Sequence, residues 1–131
     1  MLQLAFMFGL ALNAAPYVER APSHWKVCRY MTELHTERLD VSLRCLAETE
    51  TYLRSPDADG PFYSVIAERE PQYRHQAEYH ARRQRRWNLV AWQPWRSLRA
   101  ELDADLNDQP ADAVWRTTRY GFPPGIDAPN Y

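Results

Sequence analysis

Four histidines and two cysteines are the side chains of this 131-residue chain best suited to metal or nucleophilic chemistry, and their spacing argues against both. His75 and His80 stand five apart, which on a helix sends them to different faces, whereas two ligands on one helix want spacings of three or four. His35 lies between Glu33 and Glu37, but residues at alternate positions fan around a helix rather than converge. His24, His35, His75 and His80 therefore each read as surface or interface histidines. Cys28 and Cys45 have no second Cys or His at ligand spacing. On one straight helix they would stand roughly 25 Å apart, far beyond disulfide reach. Free thiols are expected, a disulfide requiring a sharp reversal near His35–Thr36. No His–acid pair supports either thiol as a nucleophile, and the chain has no Gly-rich phosphate loop and no serine elbow. No catalytic, cofactor-binding or metal-binding residue is expected.

The densest charge is Arg82-Arg83-Gln84-Arg85-Arg86-Trp87. Arginines beside an aromatic can grip a nucleic-acid backbone, anionic headgroups or the acidic flank of a partner. They can equally form a helix face neutralised by the acids that follow, Glu101, Asp103, Asp105, Asp108 and Asp112. The formal net charge of -1 supplies no global field toward nucleic acid. A small nucleic-acid- or ribosome-associated protein using Arg82–Trp87 is therefore the second reading, not the first.

The elements that must carry these residues are helical. Ten prolines against four glycines suggest helices stopped by rigid turns. Met1–Val18 contains no charged residue and, as a helix, would be roughly 27 Å long against a hydrocarbon core of about 30 Å. It lacks the basic start of a secretory signal. A buried core helix is possible, and a short membrane helix is the preferred reading, with Tyr17 and Trp25 as interfacial aromatics. Pro16 should end that helix and Pro22-Ser23 should start the next, with Ser23 as cap. Cys28, Met31 and Leu34 mark one face. After a slip in register the stripe continues as Leu39, Leu43, Leu46 and Leu53, in one bent helix or in two joined at Thr36. Ser55–Tyr63 is the strongest turn signal. Beyond it Pro61 should open a short helix to about Arg69, Pro71 a second to Trp87 or beyond, and Pro94 a third carrying Trp95, Leu98, Leu102 and Leu106. A last short helix is expected from Pro110, capped by Asp108, with Val114 and Trp115. The expected organisation is thus mostly α: a membrane-anchoring helix at 1–18, an amphipathic segment at 22–54, a turn at 55–63, an Arg-rich then acidic helical extension at 64–120 and an extended tail at 121–131.

One family matches this order of features. The apolar N-terminal helix, Pro22-Ser23-His24-Trp25, the charged helix with Thr36-Glu37-Arg38 and Ala47-Glu48, and then Asp59-Gly60-Pro61-Phe62-Tyr63 resemble the SGDH accessory subunit of mitochondrial respiratory complex I. The likeness covers about Pro16–Tyr73; Phe62 stands where the family has tryptophan, the interval before the turn is shorter, and this chain continues well past the motif. The resemblance implies a non-catalytic, cofactor-free subunit of the mitochondrial inner membrane. Its bulk would lie on the intermembrane-space side, bracing the membrane arm against neighbouring subunits and touching lipid through the N-terminal helix. Interface anchors would be Trp25, Gly60, Pro61, Phe62, Tyr63, Arg82, Arg83, Arg85, Arg86 and Trp87, with Gly60 needed for dihedrals that a β-branched residue resists. A small exported protein with an uncleaved anchor is a third reading, and its signature would be a Cys28–Cys45 disulfide.

Overall fold

A computed structural model describes the backbone of residues 2–58, 60–123 and 126, with side chains from Pro22 onward among these. The chain is mostly α. Helix α1 spans Leu2–Arg54, α2 spans Tyr63–Val90 and α3 spans Leu98–Asn107, and no strand occurs among the described residues. Helices α1 and α2 form an antiparallel hairpin: His24 meets Val90, His35 meets His80, and Glu50 meets Arg74. The short α3 lies against both.

Helix α1 is rich in good helix formers and supports itself along its solvent side. Arg29–Glu33, Asp40–Arg44 and Glu50–Arg54 are exposed ion pairs one turn apart, at 3.0, 3.2 and 3.8 Å, each worth a few tenths of a kcal/mol (~0.3–0.5). Thr32, Thr36, Ser42, Thr49 and Thr51 each return their hydroxyl to the carbonyl four residues back, so these polar groups are satisfied inside the helix. The hydroxyls are what make Ser42 and Thr49 cheap to bury.

The prolines do not divide the chain as expected. Helix α1 runs on through positions 16 and 22 and does not break at Thr36. The helix starts expected at Pro61 and Pro71 merge into the single α2, which begins at Tyr63 and carries Pro71 in its interior. A proline inside a helix costs about 3 kcal/mol through one lost hydrogen bond and a steric clash. Pro22 and Pro71 are both exposed, so water can serve the freed carbonyls, and the flanking turns outweigh the loss. The third start also shifts: α3 begins at Leu98, not Pro94, because Ser97 adopts an extended conformation and its Oγ accepts from the Ala100 N–H at 3.2 Å. The expected helix from Pro110 does not form. There the Gln109 amide bonds both the N–H and the carbonyl of Thr117, which holds 110–117 as a loop strapped across α2.

Val27, Cys28, Met31, Trp87, Val90 and Leu98 make the apolar core, with Leu34, Leu102, Tyr120, Phe122 and Ile126 packed on it. Burying a side chain of this kind contributes about 1.5–3 kcal/mol. The start of the tail is docked: Tyr30 donates to the Gly121 carbonyl at 2.7 Å and its ring lies 5.4 Å from that of Phe122. Residues 124, 125 and 127–131 lie outside the described residues.

The buried seam of α1 differs from the leucine stripe. Cys28, His35, Ser42 and Thr49 follow one another one heptad apart and are buried. Leu39, Leu46 and Leu53 are only half-buried, and Leu43 is 49% exposed. Polar side chains can occupy the seam because each is satisfied there. Ser42 and Thr49 bond carbonyls of their own helix and His35 meets His80 and Asp105, while Cys28 packs in the apolar core. In the turn, Gly60 is not in the left-handed region, and a Cβ there would meet nothing closer than the Tyr52 hydroxyl at 3.7 Å. The dihedral need assigned to Gly60 is therefore absent. Asp59 lies outside the described residues. Among the described residues no helix is long and apolar enough to cross a membrane; the membrane helix expected at 1–18 falls where side chains are not described.

Candidate functional site

One carboxylate gathers the polar side chains of the hairpin. Asp105 sits on the inner face of α3, one turn after Glu101, and is fully buried. Its Oδ2 accepts from His35 Nε2 at 2.6 Å and from Trp87 Nε1 at 2.5 Å. Its Oδ1 accepts from the Tyr120 hydroxyl at 2.7 Å and from the Tyr79 hydroxyl. Burial alone would push this carboxyl up. The bonds from His35, Tyr79 and Trp87, with the charge of His35, outweigh burial and hold it at about 2. The same burial and the same carboxylate push Tyr79 and Tyr120 upward, so both stay neutral donors.

His35 links Asp105 to a second histidine, its Nδ1 lying 2.9 Å from His80 Nδ1. Burial, followed by the charges of His35 and Arg38, lowers His80 to about 3, with Asp105 opposing. A second knot lies one turn back on α3. The Glu101 carboxylate accepts from Arg83 Nη2 at 2.9 Å and from Arg86 Nε at 2.9 Å. Burial tends to raise Glu101, but the bonds and charges of Arg86 and Arg83 bring it below its ordinary range, and the same bond raises Arg86. At the far end of the seam, His24 Nε2 meets the last carbonyl of α2, Val90 O, at 2.7 Å, alongside the Gln93 N–H, from which the same carbonyl accepts at 2.9 Å.

An Asp–His pair of this kind is the orienting half of a charge relay. Here it leads inward. His80 Nε2 and Gln76 Oε1 are buried without a hydrogen-bond partner. They face the 110–117 strap, where the gap among Arg38, Gln76, His80 and Trp115 leaves no room for a water molecule. The array is a cross-brace between three helices. Among the described residues no group of three or more His, Cys, Asp or Glu is placed to hold a metal. Both cysteines are free, against the disulfide of the exported-protein reading. Burial, then the charge of Glu101, pushes Cys28 up to about 12, which leaves a neutral thiol.

The residues singled out from sequence separate sharply. Pro61, Phe62, Tyr63, Arg82 and Arg85 are exposed, Trp25 is 44% exposed, and Gly60 and Arg86 are half-buried. Arg83 and Trp87 are buried and are not surface anchors. Arg82 lies 3.8 Å from Asp108 and Arg86 is bound to Glu101, so the arginine cluster is largely matched within the chain. The histidines correct the surface reading most: His24, His35 and His80 are buried, and only His75, bonded to Asp112 at 2.7 Å, is exposed. A signal for this existed. Gln76, His80, Arg83, Trp87 and Val90 keep helical spacing, as do Leu98, Glu101 and Asp105, but polar residues interrupt both stripes. No protein-family model, curated protein or solved structure matches this chain, so the likeness to the SGDH subunit stands on the motifs within Pro16–Tyr73 alone.

Proposed function

We propose that this chain is a non-catalytic accessory subunit of a large membrane assembly, a helical hairpin that braces its neighbours and is anchored by the charge-free start of α1. The turn motif makes the membrane arm of mitochondrial respiratory complex I, on its intermembrane-space side, the assembly of choice. The observation that carries the scaffold reading is the set of large apolar side chains left on the surface of so small a protein. Phe62 is 67% exposed and Val65 51%, beside Tyr63 at the turn. Trp92 and Trp95 stand out at the opposite end of the hairpin. Exposed apolar groups gathered into patches mark interaction sites, and aromatics are the residues most enriched at interface cores. Two of them, Phe62 and Tyr63, are the aromatic positions of the turn motif itself. The polar groups, by contrast, are spent on the internal brace.

Mass spectrometry along a native gel of mild-detergent membrane extract tests this, read beside in-gel NADH dehydrogenase activity. Co-migration with the activity band is expected. Migration with another large complex would keep the scaffold role and remove complex I. A small free species, or one travelling with ribosomes, would overturn both.

A further inference from the structure

We propose that the α2–α3 connector, residues 91–97, and the facing turn of α1 form a tryptophan shelf that rests in the headgroup layer of a lipid bilayer. This deepens the anchor reading above and rests on it. The antiparallel register fixes the geometry. Since His24 pairs with the end of α2 at Val90, the part of α1 before His24 lies beyond the level at which α2 stops. That part includes Leu2–Val18, which has no charged residue. The connector turns back at this same level.

What the connector presents is aromatic. Trp92 is 76% exposed and Trp95 58% exposed. Across a groove shared with Arg29 and Asn88, Trp92 faces Trp25 of α1. Tryptophan is the side chain most at home at a membrane interface, where its ring meets acyl chains and its N–H stays hydrated. The separation also fits: Trp25 follows Val18 by seven residues, roughly 10 Å of helix, comparable to the headgroup layer on one side of a bilayer.

The charge around the shelf is mixed, with a small cationic excess: Glu19 and Arg20 follow the charge-free segment side by side. Lys26, Arg29 and Arg96 are exposed at this end, and no acid occurs between Arg82 and Arg99. Arg29 and Glu33 pair at 3.0 Å and cancel, which leaves Lys26 and Arg96 as the free cations of the three, and Glu101 is buried under Arg83 and Arg86. Cations beside tryptophans suit anionic headgroups. The rings sit at the end of the hairpin from which the charge-free segment departs, the level at which a bilayer surface would lie.

The test uses the full chain with phosphatidylcholine–phosphatidylglycerol vesicles whose acyl chains are brominated either just below the glycerol backbone or near the chain end. Flotation reports binding, and quenching of tryptophan emission reports depth. The expected result is flotation together with quenching by the shallow bromines, more than by the deep ones. That quenching should be lost in a Trp25→Phe/Trp92→Phe/Trp95→Phe variant and retained in Trp115→Phe. Trp92→Ser/Trp95→Ser should weaken vesicle binding roughly tenfold, since interfacial binding scales with buried apolar area. These side chains are exposed, so the fold is not at stake. Flotation without shallow quenching would overturn the shelf while leaving the anchor, and would assign the tryptophans to a protein neighbour. No flotation would overturn the anchor reading and the shelf with it.

Discussion

Asp105→Asn is the substitution that most directly examines the brace. Asparagine keeps the size of the side chain but removes the charge and replaces one acceptor oxygen by a donor. Asp105 accepts from His35, Trp87, Tyr79 and Tyr120; an amide oxygen can serve at most two of these, and the amide nitrogen meets donors where an acceptor is needed. Asp105 Oδ2 also lies 3.6 Å from the buried Arg83 guanidinium, and breaking a buried ion pair by removing one partner costs about 3–5 kcal/mol. An independent route gives a similar size: the carboxyl is held at about 2 against an ordinary 3.8, a difference worth roughly 2–3 kcal/mol at neutral pH, before the stranded donors are counted. Against a total stability of about 5–15 kcal/mol, a loss near 4 is large.

Urea unfolding followed by circular dichroism, with the full chain in mild detergent, measures it. With a slope of about 2 kcal/mol per molar urea, the midpoint should fall by roughly 2 M. Asp103→Asn is the control, since Asp103 is an exposed neighbour on α3 and surface changes of this kind stay within about 0.5 kcal/mol. Equal midpoints for the two variants would refute the idea that Asp105 holds the three helices together.

Acid should destabilise the protein in two steps. The unfolded chain protonates His80 near its ordinary value of 6.5 while the folded chain resists until about 3, so stability falls across that interval. Asp105, depressed in the fold, adds a further loss between about 4 and 2. A stability constant from pH 7 to 4 in urea titrations would contradict this. In thiol labelling of the native chain, half-buried Cys45 should react and buried Cys28, raised to about 12, should wait for unfolding; mapped peptides showing equal labelling would speak against the core as described. Gly60→Ala should leave the urea midpoint unchanged within about 0.5 kcal/mol, because a Cβ has room beside Tyr52. A drop of a full molar would restore the special role first assigned to that glycine.

The helical class and the main turn were legible in the sequence because they depend on local chemistry. The apolar spacings at helical period and the dense Pro, Gly and Asp signal at Ser55–Tyr63 are readable one residue at a time, whereas Pro94 is the more prominent start signal and masks the Ser97 cap. The facing surfaces were not. A hydrophobic count selects Leu39, Leu43, Leu46 and Leu53, yet the seam passes through Cys28, His35, Ser42 and Thr49. Nothing local says that His35 will find a carboxylate on α3, seventy residues away. The prolines misled for the same reason in reverse: their local cost is real, and tertiary packing on the opposite face of the helix overrides it. The arginine cluster was legible as a face matched by the following acids, but not which of its members would be buried.

Polar packing at this seam also bears on which register the hairpin adopts. Interhelical positions repeating every seven residues allow two helices to slip by one heptad with little change in apolar burial. In this chain such a slip would place Cys28 or Ser42 where His35 stands, and would leave Asp105 facing no imidazole in the interior. Trp87, Tyr79 and Tyr120 would still donate to it, so the slip loses the His35 bond and its contact with His80, at about 1–3 kcal/mol for each buried polar group stranded. Glu101, one turn away, fixes α3 on α2 through Arg83 and Arg86, so that Asp105 is held in place to meet His35. Fixing register from the inside leaves the outside free: the leucine stripe, Phe62 and the tryptophans of the connector are not needed to hold the hairpin. They remain where a neighbour or a membrane can use them.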